Sequence, residues 1–163
     1  MRPGDAALYR PHNTLGAIVA WLTRARYCHV RLIIDEAGHT VEADLKGAIR
    51  GAVQPGDVIV TAPLTDAQRA LIPTLAAGVV GTPYGFLDIL ALLLAAFGLR
   101  FQWLAHRVGR SDRLICSQLV DVVWQAAGLH AFTDGRLPQD VTPGDIADTA
   151  LASGWTATTH TAQ

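Results

Sequence analysis

Cysteine is nearly absent from this chain: Cys28 and Cys116 are the only two in 163 residues. Two thiols cannot build the multi-bridge framework on which small secreted domains rely. They form no CxxC pair. The histidines at 12, 29, 39, 106, 130 and 160 show no HxxxH spacing, so no metal site and no cofactor are expected. An excess of charge is lacking as well. Lys and Arg number 13 against 14 Asp and Glu, and the arginines are scattered. That balance leaves no electrostatic footprint for nucleic acid. A long hydrophobic run is also missing. The apolar stretch Ile89 to Leu99, ILALLLAAFGL, has eleven residues, short of the ~20 that a membrane-spanning helix needs. It reads as a buried helix, with contact to a lipid or an acyl chain as the sharper reading. The opening MRPGDAALYR has no apolar segment of the kind a secretory signal carries. With free thiols favoured in reducing compartments, the expected location is the cytoplasm, unless a phage-type or partner-borne route exports the protein.

What is present suits one packed domain. Half of the residues are apolar, and the length fits a single core without staples. No repeat or low-complexity linker divides residues 1–163. Ala6 to Tyr9 reads as a short strand after the turn Pro3-Gly4-Asp5. Residues 14 to 24, TLGAIVAWLTR, carry apolar side chains at helical spacing, with Asn13 or Thr14 as cap. HVRLII, from His29 to Ile34, is a strand by its β-branched content. Asp35 to Gly38 is a turn, and Thr40 to Ala43 is the returning strand of a hairpin. Val58 to Thr61 is a further strand. Thr65 and Gln68 make a capping-box pattern at the head of a helix that runs towards Gly78, with Pro73 tolerated as a kink. Gly81 to Gly85 is a loop. Ile115 to Ala127 is a strong helix stopped by Gly128. Pro138 to Asp145 is a loop, Ile146 to Leu151 a short final turn, and 156–163 a tail expected to fray. The order is a few short strands with helices before and after them, which points to an α+β fold.

Cys116 stands at the start of the helix CSQLVDVVWQAAG. The unpaired N–H groups and positive dipole end there favour a thiolate, and they suit an oxyanion in acyl transfer. Val120, Val123 and Ala127 continue its face, which places the thiol inward at the open end of the helix. A lone cysteine is more often a small core residue, and spacing alone leaves that alternative ahead. His29 opens a strand, where a ring can be exposed at a sheet edge and still held rigidly, ready to take a thiol proton; taken alone, a surface or capping histidine is the commoner reading. Glu42 lies on the partner strand of the same hairpin, within reach of the ring, where a carboxylate would orient it. Asp35 and Asp44 compete for that role. Tyr84, in a glycine-bracketed loop, either presents a hydroxyl to a cleft or packs against the next helix. Cys28 adjoins His29, and strand alternation turns it to the opposite face, so it reads as core.

Taken in order, RPGDAALYR, RYCHVRLII, TVEAD, GTPYGF, RLICSQLV and VTPGDIAD resemble the permuted NlpC-like branch of the papain superfamily, which includes YiiX-like bacterial proteins. The resemblance runs from about Pro3 to Asp148. Its most specific parts are the HV strand, the EA dipeptide after the hairpin and the Cys-Ser-x-Leu-Val helix start. In this branch the histidine precedes the cysteine, as here. The resemblance implies a circularly permuted papain-like fold, a small antiparallel sheet packed on the Cys-bearing helix. It assigns Cys116, His29 and Glu42 to the catalytic positions and Tyr84 to a tyrosine beside the substrate. Gln118 departs from the pattern, where members often carry Glu.

The implied activity is hydrolysis of an amide or ester bond through a thioester. The first expectation for substrate is a peptide or amide bond, with cell-wall peptidoglycan as one form, which an exported or phage-delivered enzyme would meet. A lipid acyl substrate, handled by a hydrolase or acyltransferase, is the alternative that the 89–99 run suggests. The second alternative is a binding or structural module that keeps the fold without the activity. Fold kinship fixes the chemistry better than the substrate.

Overall fold

The computed structural model describes residues 1–10, 26–44, 47–81 and 115–161. Within them the chain is α+β: one antiparallel sheet of six strands with three helices. The strands are β1 (Ala6–Tyr9), β2 (His29–Ile33), β3 (His39–Asp44), β4 (Gly47–Ala52), β5 (Val58–Val60) and β6 (Ala157–Thr159). The helices are α1 (Asp66–Ala77), α2 (Ile115–Ala126) and α3 (Pro143–Ala152), and a single 3-10 turn spans Pro138–Asp140. Across the sheet the order is β4-β3-β2-β1-β5-β6. The helix expected at 14–24, the apolar run 89–99 and Tyr84 all lie outside the described residues.

The hairpin of β2 and β3 forms as the alternation predicts, with Leu32 opposite Val41 and Ile33 opposite Thr40. β2 has neighbours on both sides, β1 and β3. His29 is therefore at the end of a central strand, not at a sheet edge. Alternate residues divide between the two faces. Ala6, Leu8, Val30, Leu32, Val41, Ala43, Val58 and Val60 turn to the side covered by α2 and join its Leu119, Val120, Val123 and Trp124 in the main core. Ala7, Ile33 and Ile59 make a smaller cluster apart from it. The α2 residues that enter the core are almost wholly buried, and each such side chain contributes roughly 1.5–3 kcal/mol. Trp124 anchors the docking further. Its indole N–H donates to the Gly4 carbonyl at 2.8 Å, and its ring meets Trp155 edge-on, with centroids 5.8 Å apart.

The helix ends follow local chemistry. At α1 the Thr65 hydroxyl accepts from the Gln68 N–H while the Gln68 side chain returns to Thr65, the predicted capping box, and Pro73 lies inside the helix. α1 is pinned through Arg69, which is buried with Asp5 at 2.8 Å and donates to the Pro3 carbonyl at 2.7 Å. Gly128, at φ +87°, supplies the left-handed stop after α2 that other residues resist.

Other parts of the chain also differ from expectation. β4 was not foreseen, because GAIRGA alternates weakly and is rich in glycine. α3 begins at Pro143 rather than Ile146, since Thr142 and Asp145 form a second capping box with Pro143 in the first turn. The tail does not fray over its whole length. Residues 157–159 pair with β5, and the Gly56 N–H donates to the His160 carbonyl at 2.8 Å.

Candidate active site

The site is built where the tip of α2 meets the end of β2. His29, Arg31 and Glu42 are the residues of β2 and β3 that alternate with the core-facing set, so they share the opposite face of the sheet. Cys116, the second residue of α2, comes from the core side and is 7% exposed. It meets the His29 ring at the strand end, beyond the residues where β2 and β3 are paired. The Val30 N–H and the Ser117 N–H both donate to its sulfur. The Ser117 hydroxyl in turn donates to the Val141 carbonyl at 2.5 Å, tying the helix start to the segment before α3.

His29 Nε2 is 2.5 Å from Glu42 Oε2. An imidazole has two ring nitrogens, and with Nε2 engaged by the carboxylate, Nδ1 is left for the thiol. Burial alone would depress the His29 pKa. The hydrogen bonds to Cys116 and to Glu42, with the charges behind them, raise it from 6.5 to about 9. Burial likewise pushes the Cys116 thiol up. The His29 hydrogen bond and charge, with the two backbone N–H groups, outweigh burial and hold it below its ordinary value. Both directions favour a thiolate–imidazolium pair. Glu42 is held below its ordinary value despite burial, through His29 and Arg31.

Arg31 was not singled out from the sequence, yet it organises the carboxylates. Its Nε donates to Glu42 Oε2 at 3.1 Å, and an Nη donates to Asp57 Oδ2 at 2.7 Å. Its guanidinium also lies 5.4 Å from the centre of the Tyr9 ring. Asp57 is fully buried and also accepts from the Gln54 N–H at 2.9 Å. Two-residue spacing from His29 was the signal that places Arg31 on the same face. Nothing in the local sequence points to Asp57. Gly51 is the other missed residue. A Cβ there would fall 2.5 Å from Glu42 Oε1 and 3.1 Å from Thr40 Oγ1, so the carboxylate occupies space that only glycine leaves free.

Of the predicted site residues, Cys116, His29 and Glu42 are brought together, and Tyr84 lies outside the described residues. Among the competitors for Glu42, Asp35 turns to His39 instead, Oδ2 to Nδ1 at 2.6 Å. Cys28 departs from its expected place in the core. It sits in a bend before β2, half-buried, with its sulfur 3.8 Å from the Tyr9 carbonyl oxygen. The alternation argument assumed a strand where the chain is bending. Burial, with the nearby Cys116 charge, raises the Cys28 pKa. Among the described residues no group of three or more His, Cys, Asp or Glu could hold a metal ion. No helix among them is long and apolar enough to cross a membrane.

Comparison of the chain with family models, curated proteins and solved structures returns no match. The functional reading therefore rests on the geometry and on the sequence motifs.

Proposed function

We propose that the chain is a cysteine hydrolase of the circularly permuted papain-like kind, with Cys116 as nucleophile, His29 as its base and Glu42 as the group that orients the ring. One observation carries this reading. A cysteine at a helix tip and a His–Glu pair on two strands meet so that the thiolate is stabilised from three sides. A core cysteine needs none of this.

In the proposed reaction the Cys116 thiolate attacks the carbonyl carbon of an amide or ester. The Cys116 N–H, in the unpaired first turn of α2, steadies the oxyanion. The His29 imidazolium gives its proton to the leaving amine or alcohol as the carbon–heteroatom bond breaks, which leaves a thioester on Cys116. Neutral His29 then takes a proton from water, and the hydroxide so formed cleaves the thioester. The carbon–sulfur bond breaks, the acyl group leaves as the carboxylic acid, and the expelled thiolate beside the now protonated His29 is the thiolate–imidazolium form again. Glu42 keeps the ring aligned through both proton transfers. The substrate class we favour is a peptide or amide bond, the class that the family resemblance suggests.

The test is hydrolysis of peptide amides, peptidoglycan fragments and fatty-acyl esters by the intact chain and by Cys116→Ala. The variant should lose turnover of every accepted substrate, and mass spectrometry of the native chain should trap an acyl group on Cys116. Unchanged hydrolysis by Cys116→Ala overturns the assignment. A Cys116 thiol inert to iodoacetamide at neutral pH supports a binding module instead. Trapping of fatty-acyl groups alone transfers the substrate to lipid.

A further inference from the structure

We propose that Cys28 and Cys116 form a reversible dithiol switch, in which a hydroperoxide oxidises Cys116 and Cys28 closes an intramolecular disulfide that takes the nucleophile out of service. The inference rests on the thiolate reading of Cys116 and adds a form of regulation to it.

The two residues are the only cysteines of the chain, and both lie around His29. Cys28 is the residue before His29. The Cys116 sulfur takes its hydrogen bonds from the His29 ring and from the N–H of Val30, the next residue. Cys28 is thus two residues along the backbone from a group that touches the Cys116 sulfur, and consecutive Cα atoms are about 3.8 Å apart. Cys28 also has the freedom that such a partner needs. It is half-buried and lies in a bend just before β2; its backbone N–H donates to the Tyr9 carbonyl at 3.1 Å, and among the described residues its sulfur makes a long contact to the same carbonyl at 3.8 Å, which leaves the side chain free to turn. The division of labour suits the two roles. Cys116 is the stabilised thiolate that reacts first with an oxidant. Cys28, whose pKa burial raises, stays a thiol until a sulfenic acid forms beside it.

The chemistry balances with a hydroperoxide as the oxidant. The Cys116 thiolate attacks one peroxide oxygen and the O–O bond breaks. Cys116 becomes the sulfenic acid, and the departing oxygen takes a proton from the His29 imidazolium. The Cys28 sulfur then attacks the Cys116 sulfur, the S–O bond breaks, and the thiol proton leaves with the oxygen as water. Two electrons pass from the two thiols to the peroxide. A small dithiol reverses the product by exchange.

The experiment uses the full chain with hydrogen peroxide, read by mass spectrometry and by labelling of Cys116 with iodoacetamide before and after dithiothreitol. The native chain should lose the mass of two hydrogens, lose its labelling, and regain nearly all of it on reduction. Cys28→Ser and Cys28→Ala should label like the native chain before oxidation. After peroxide they should carry sulfinic or sulfonic acid on Cys116 and regain little labelling. Two outcomes overturn the switch and leave the hydrolase reading standing. One is rapid labelling of Cys116 with no intramolecular disulfide after peroxide. The other is a disulfide that forms only between chains. If Cys116 in the untreated chain labels no faster than an ordinary thiol, the thiolate reading fails and the switch fails with it.

Discussion

Replacing Glu42 by Gln keeps the shape of the side chain and removes its charge. In the native site Glu42 Oε2 lies 2.5 Å from His29 Nε2, with the two side chains 15% and 24% exposed. The His29 pKa rises from 6.5 to about 9, and Glu42 is the second of the two hydrogen-bond partners that raise it, after Cys116. Exchanging a hydrogen bond to a charged acceptor, worth ~1.5–3 kcal/mol, for one to a neutral acceptor, worth ~0.5–1.5 kcal/mol, costs the imidazolium on the order of 1–1.5 kcal/mol. The thiolate–imidazolium pair should then be about five- to tenfold less populated relative to the uncharged pair. The assay is the rate of iodoacetamide alkylation of Cys116 across pH, followed by mass spectrometry. In the native chain the reactive form sets in at lower pH than for an ordinary thiol, because, despite burial, the His29 hydrogen bond and charge hold the Cys116 thiol below its usual value. In Glu42→Gln the acid limb should move to higher pH, and the rate at pH 7 should fall by about the factor above. Hydrolysis should fall by at least as much, since the ring also loses its alignment. An unchanged acid limb, in a variant that folds normally, would refute the role given to Glu42.

Two further outcomes follow from the structure. Gly51→Ala places a Cβ 2.5 Å from Glu42 Oε1. The carboxylate should be displaced and activity lost at a stability cost of about 1–3 kcal/mol, as for other overpacked sites, and kinetics paired with thermal unfolding check this. Asp121 in α2 is 1% exposed. Burial raises its pKa from 3.8 to about 6, against the Gln125 hydrogen bond and the Arg136 charge. A folded-state pKa above the unfolded one means that its contribution is fully present below pH 3.8 and is lost as pH rises through about 6. Asp121→Asn should therefore stabilise the protein above pH 6, by up to about 3 kcal/mol, and leave it nearly unchanged at pH 4. Equal melting shifts at both pH values would count against this.

How much was legible in the sequence varied with the range of the interactions concerned. The β2–β3 hairpin, the Thr65 cap and the Gly128 stop depend on residues a few positions apart, and the chain states them locally. The same is true of His29 and Glu42 sharing a face, which strand parity and one turn decide. Arg31 reaching Asp57, and Gly51 making room for Glu42, depend on strands that pair across the sheet, and no local pattern announces them. β6 was missed because ATT has no apolar alternation and its stability is borrowed from β5. Cys28 was misplaced because the two-residue period was carried one position past the strand's start. α3 shows the opposite lesson: Thr142-Pro-Gly-Asp145 was a readable helix start, and the proline and glycine masked it as a loop.

The junction of α2 with β2 also bears on when the chain becomes reactive. Every group that lowers the Cys116 pKa, apart from the Ser117 N–H, belongs to a strand residue far earlier in the sequence, His29 or Val30. Before the helix docks, Cys116 is an ordinary thiol, mostly protonated at neutral pH and a poor nucleophile. The same docking that seats Trp124 and Leu119 in the core brings the sulfur to the ring. The low thiol pKa is in this sense a property of the docked tertiary structure and not of the local sequence. A nascent or misfolded copy carries no activated thiol to acylate or oxidise, so reactivity toward an electrophile doubles as a report that the tertiary structure is complete.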